Sequence, residues 1–128
     1  MGAWNYKVLT NDYACDFLHD IISEDSVSRF VKRLFKQTDD EFALLLGVAI
    51  VDASLHGVDP DVLGGYGDYP KLGEGFFRGL IDIPLDYLKP AAIKAIDRCI
   101  EMGVDDWAED CRGPRMKLYQ TLKDRLSR

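Results

Sequence analysis

A chain of 128 residues has room for one hydrophobic core, and 47% apolar with 30% charged residues is the composition of a folded globular domain, not of a disordered segment. Sixteen basic residues against 22 acidic ones leave a net charge of −6, which disfavours a broad phosphate-binding surface. Cys15, Cys99 and Cys111 are odd in number and form no CxxC pair, so no disulfide framework is predicted and a cytoplasmic location is expected.

The first ten residues lack a helical period. Trp4, Tyr6 and Val8 alternate, which suggests a short extended strap lying on the core. Asn11 or Asp12 can cap a first helix whose apolar face is Ala14, Phe17, Leu18, Ile21 and Ile22. No basic stretch precedes an apolar run here, so no signal peptide is expected. A second helix follows Asp25 or Ser26, with Val27, Phe30, Val31, Leu34 and Phe35 at amphipathic spacing.

Thr38 and Glu41 stand at the spacing of a capping box and open a third helix. It is apolar on all sides from Phe42 to Val51 and ends at His56-Gly57, so a buried central helix is predicted. That apolar run is far shorter than the roughly 20 residues that span a bilayer, and no membrane association is expected.

Glycines 57, 64, 65, 67, 73, 75 and 79 and prolines 60, 70 and 84 crowd the next stretch, which reads as a long loop. Leu85 to Met102 is a fourth helix, with Pro90 near its start and Gly103 past its end. A short element from Val104 to Cys111 carries Trp107. Gly113-Pro114 is expected to start the last helix, with Leu118, Leu122 and Leu126 four apart. The expectation is one all-α domain over residues 1–128. It has about five helices around a buried central helix, an extended N-terminal strap and a long Gly-rich loop.

Charge is uneven along this chain. No Lys or Arg falls between Lys36 and Lys71, whereas Asp39, Asp40, Glu41, Asp52, Asp59, Asp61 and Asp68 do. From Arg112 to Arg128 the bias reverses, with Asp124 the lone acid. Asp12, Asp16 and Asp20 share one helix face, and Arg29, Lys32, Arg33 and Lys36 share another. These edges can complement each other in a helix hairpin, or the acids can form a docking surface for a basic partner, which speeds association. A second acidic set, Asp105, Asp106, Glu109 and Asp110, surrounds Trp107. It reads either as a solvated face whose Trp fills the core or as a contact patch.

Catalytic signatures are weak. His19 and His56 have no partner at metal-ligand spacing, so no metal site and no cofactor are predicted. Gly73, Gly75 and Gly79 miss the GxGxxG spacing by one residue, and Ser54 lacks a GxSxG frame. Cys15 and His19 stand four apart, but a thiol at the edge of an apolar face is usually packed. Tyr66 and Tyr69, on the acidic Gly-rich loop, either contact a partner or close the loop on the core.

Met1-Gly2-Ala3-Trp4, then Asn11-Asp12-x-Ala14-x-Asp16-Phe17, resembles the start of a family of small bacterial proteins, domain-of-unknown-function family 4259. Trp107-Ala108-Glu109 with Leu118, Leu122, Arg125 and Leu126 is similar to that family's C-terminal part. The match is specific over the first seventeen residues and loose between. Asn5 stands where the family usually has Gly, and the Gly-rich middle is unusually long. The resemblance implies a chiefly helical bacterial cytoplasmic protein and no catalytic residue.

Small acidic proteins of this kind also look like the immunity proteins of contact-dependent growth inhibition, which need a rigid scaffold, a surface loop and charge complementary to a toxin. The expected function is therefore that of a toxin inhibitor, not an enzyme, which binds a cognate protein toxin such as a basic nuclease. Its expected contacts are Asp59, Asp61, Tyr66, Asp68 and Tyr69, then Asp105, Asp106, Glu109 and Asp110. No direct nucleic-acid binding is expected. A regulatory or adaptor domain is the alternative, and a carboxylate-based enzyme a more distant one.

Overall fold

A computed structural model describes residues 8, 27–57, 59, 62 and 83–128. Among these, the regular elements are α1 (Val27–Phe35), α2 (Glu41–His56), a 3-10 turn (Asp86–Leu88), α3 (Lys89–Met102) and α4 (Glu109–Leu126). All are helical, and the described residues include no strand. The expected strap apart from Val8, the expected first helix and most of the Gly-rich stretch lie outside the described residues.

Hydrophobic period explains α1, which buries Phe30, Val31 and Leu34 and leaves Arg29, Lys32, Arg33 and Lys36 exposed. In α2 every residue from Ala43 to Ala53 is buried. Such a run requires neighbours on several sides, and α2 packs against α1, α3 and α4. One polar residue, Asp52, lies within it.

The cap of α2 differs from the expected Thr38–Glu41 box. Asp40 is the N-cap, its Oδ1 accepting from the Phe42 and Ala43 amides at 3.1 and 3.2 Å. The reason is that the Glu41 side chain is taken by Trp107 and Tyr119 and cannot fold back to the helix start. Gly57 and Gly103 end α2 and α3 at φ of 85° and 79°, backbone geometry that a Cβ disfavours.

The last helix begins at Glu109, not at Gly113-Pro114, so Pro114 sits inside it. Its missing N–H leaves only the Asp110 carbonyl without a helical partner, within an exposed first turn that water can reach. Glu109 and Asp110 favour the positive end of the helix. Inward, α4 buries Arg115, Leu118, Tyr119, Leu122 and Leu126.

At Gly47, α1 and α2 approach so closely that an added Cβ would lie 2.5 Å from Phe35 Cε1. We expect Gly47→Leu to lower stability by about 2 kcal/mol in urea unfolding, because overpacking outweighs the gain in helix propensity of roughly 1 kcal/mol. An unchanged midpoint would mean that Phe35 swings aside freely. Asp40→Ala should cost about 1 kcal/mol in the same assay, where loss of the expected Thr38 cap would cost nothing.

Candidate interaction surface

Gly103 turns the chain out of α3 into a short connection that carries most of the candidate acids. Asp105, Asp106, Glu109 and Asp110 are all exposed, on that connection and the first turn of α4. The connection is held from both sides. Arg112 reaches back from α4, donating from Nε to the Trp107 carbonyl and from Nη2 to the Asp105 carbonyl, each at 2.9 Å. Trp107 is half-buried, and its Nε1 donates to Glu41 Oε1 at 3.0 Å.

Beneath Trp107 lies Arg115, fully buried. Its guanidinium stands 4.2 Å from the Trp107 ring centroid, 5.2 Å from that of Tyr119 and 5.8 Å from that of Phe42. A buried cation is costly unless π faces and hydrogen bonds replace its water. Arg115 Nε donates to the Tyr119 hydroxyl at 3.0 Å, and that hydroxyl donates to Glu41 Oε2 at 2.8 Å. One carboxylate thus joins the start of α2, the connection and α4. Burial raises the Tyr119 phenol above its ordinary range. It also pushes the Cys99 thiol, 3.9 Å from the Glu41 carbonyl, up to about 12.

At the far end of α4, Arg125 forks over a second acidic group. Its Nε lies 3.0 and 2.9 Å from the two Asp52 carboxylate oxygens, and Nη1 lies 3.2 Å from Asp59 Oδ2. Nη2 donates to the Gly57 carbonyl at 3.2 Å. The Asp52 side chain is only 5% exposed. Burial raises its pKa despite the bonds and charge of Arg125. A folded pKa above the unfolded one means that this group's contribution to stability is greatest at low pH. It is lost as pH rises through the folded value. Removing one partner alone would strand a buried charge.

The predicted contacts fall into two places. Asp59 is partly buried and engaged with Arg125 at one end of α4, while Asp105, Asp106, Glu109 and Asp110 cluster at the other. The 18-residue helix is about 27 Å long, so Asp59 and the cluster do not form one patch. Asp61, Tyr66, Asp68 and Tyr69 lie outside the described residues. Among the described residues, no three His, Cys, Asp or Glu side chains are placed to hold a metal ion. The recess lined by Ala49, Asp52, Ala53, Gly57, Asp59 and Val62 has no room for a water molecule. No described helix is long and apolar enough to cross a membrane.

The sequence singles out neither Arg115 nor Tyr119, and it suggests for Glu41 only a capping role and for Arg125 only a place in the C-terminal resemblance. A signal for the first two nevertheless exists in the stripe Arg115, Tyr119, Leu122 and Leu126, which places an arginine on an apolar face. No protein-family model, curated protein or solved structure matches this chain.

Arg125→Met alone is expected to destabilise the fold by about 3 kcal/mol. Asp52→Leu combined with Arg125→Met should fall within about 1 kcal/mol of the parent, since the double change leaves no charge in the buried Asp52 site and Asp59, 33% exposed, is reached by water. Additive losses in denaturant unfolding would show instead that the pair is a net stabiliser. In the native protein at pH 8, maleimide should label the half-buried Cys111 well before Cys99, whose thiol stays protonated and buried. Equal labelling rates by mass spectrometry would contradict this burial.

Proposed function

We propose that the protein is a non-catalytic binding domain that neutralises a cognate basic protein toxin through an acidic surface. The observation that supports this most is the exposed set Asp105, Asp106, Glu109 and Asp110, carried on a connection fixed by Glu41, Arg112 and Arg115. Carboxylates held on a rigid backbone lose little freedom on binding, and their field steers a cationic partner toward the surface. At the neighbouring α1–α2 junction Asp39, 90% exposed, is paired with Arg98, whose Nη2 lies 2.9 Å from its carboxylate while Nε bonds the Thr38 carbonyl at 3.0 Å.

The half-buried Trp107 fits the same role. Its inner face and its N–H are committed to Arg115 and Glu41, so its remaining surface is presented in a fixed orientation among the acids. A basic nuclease, whose own surface matches phosphate, is the partner class with the best charge match. In this reading Asp61, Tyr66, Asp68 and Tyr69 add contacts from the Gly-rich stretch. The resemblance to family 4259 accords with a small bacterial cytoplasmic protein of this kind.

Capture of the tagged protein's partners from its host at low and high salt, followed by mass spectrometry, tests the proposal. A stoichiometric partner with a toxin or nuclease domain is the expected result. A housekeeping protein would favour the adaptor reading. With the toxin in hand, changing Asp105, Asp106, Glu109 and Asp110 to Lys should slow association on the order of a hundredfold at low ionic strength. An unchanged on-rate would remove this corner from the interface.

A further inference from the structure

Thr38 lies at the surface in the turn between α1 and α2, residues 36–40. Because Asp40 takes the cap of α2, Thr38 is left outside the helix. Its carbonyl accepts from Arg98 Nε at 3.0 Å, and its hydroxyl has no hydrogen-bond partner among the described residues. The other described hydroxyls are placed differently. Ser54 and Ser127 donate to carbonyls of the preceding helical turn, and Ser28 and Tyr87 bond each other. Tyr119 is buried against Glu41, and Thr121 is half-buried within α4. Among the described residues, Thr38 thus carries the hydroxyl that is at once exposed, unengaged and outside a helix.

Arg98 supplies the second half of the site. It projects from α3 with its side chain 37% exposed. Nε holds the Thr38 carbonyl and Nη2 the Asp39 carboxylate at 2.9 Å, whereas Nη1 stands 3.9 Å from Glu101 Oε2. One arm of the guanidinium is therefore engaged only by a long ion pair, beside a residue whose hydroxyl is open. Guanidinium binds phosphate through parallel charge-assisted bonds, which are stronger than a distant carboxylate contact. A phosphate on Thr38 would be tethered to the backbone that Arg98 already grips, so little further ordering is needed to bind it.

We propose that Thr38 is a phosphorylation site and that Arg98 receives its phosphate. The co-reactants are a protein kinase and a nucleoside triphosphate. Thr38 Oγ1 attacks the γ-phosphorus, and the bond from that phosphorus to the bridging oxygen breaks. The nucleoside diphosphate leaves with the electron pair, and the hydroxyl proton passes to the kinase's base. Asp39, next in the chain and 90% exposed, offers the kinase a charge to read. The product gains close to two negative charges, and its bonds to Arg98 tie the α1–α2 turn to α3. The proposal stands apart from the binding reading above, because no toxin enters its test.

Mass spectrometry of the full chain, purified from its host with phosphatases inhibited, is expected to place a phosphate on Thr38 and none at that position in Thr38→Val. A chain without phosphate at Thr38 would overturn the proposal. The part played by Arg98 is read by ³¹P NMR of the full chain bearing phosphate on Thr38. The second ionisation of the phosphate should fall about half a pH unit lower in the parent than in Arg98→Gln. Lys36, Asp39, Asp40, Glu41 and Glu101 are common to both chains, so the difference belongs to Arg98. Coincident titrations would overturn its assignment as the receiving group.

Discussion

A guanidinium with no access to water must be matched by the groups around it, and the placement of Arg115 constrains much of this fold. The cation needs π faces and an oxygen acceptor, and Trp107, Phe42 and Tyr119 supply them from three different segments. Glu41 then holds two of those three through its two oxygens. The start of α2, the α3–α4 connection and the second turn of α4 are therefore fixed with respect to one another by directional bonds. Apolar packing alone would leave them freer to slide. The displaced cap follows from the same network, since a Glu41 committed to Trp107 and Tyr119 leaves the amides of α2 to Asp40.

The helices were readable wherever apolar spacing was regular. Val27 to Phe35 is one example; the helix expected over Leu85 to Met102 is another apart from its start, where a 3-10 turn at Asp86–Leu88 precedes the α-helix from Lys89, and the φ of Gly57 and Gly103 gives the physical reason that the helices stop where glycine predicts. The start of α4 was misread because Pro114 is usually a boundary. Here it lies close enough to the helix start that its missing amide is tolerated. For the candidate surface, exposure of the 105–110 acids followed from composition, whereas the fate of Asp59 did not. Whether a carboxylate is displayed or bonded depends on a partner 66 residues away, and no local pattern reports that.

The two ends of α4 treat charge in opposite ways. At its start, Glu109 and Asp110 on the first turn and Asp105 and Asp106 on the connection face solvent, and Arg112 directs its bonds to backbone carbonyls there. At the last turn, Arg125 is absorbed by Asp52 and Asp59. Charge is therefore not spread evenly over the described surface. One end of the helix projects a negative field, and the other is internally compensated.

The division of labour around Trp107 bears on how such a surface can diverge. The buried set of Glu41, Arg115 and Tyr119 fixes the backbone, while Asp105, Asp106, Glu109 and Asp110 project outward and support no core contact. Exchanges at exposed positions of this kind usually shift stability by less than about 0.5 kcal/mol. Substitutions at these four neighbouring positions are therefore compatible with an unchanged fold. The scaffold around Arg115 is thus separable from the surface chemistry that it displays.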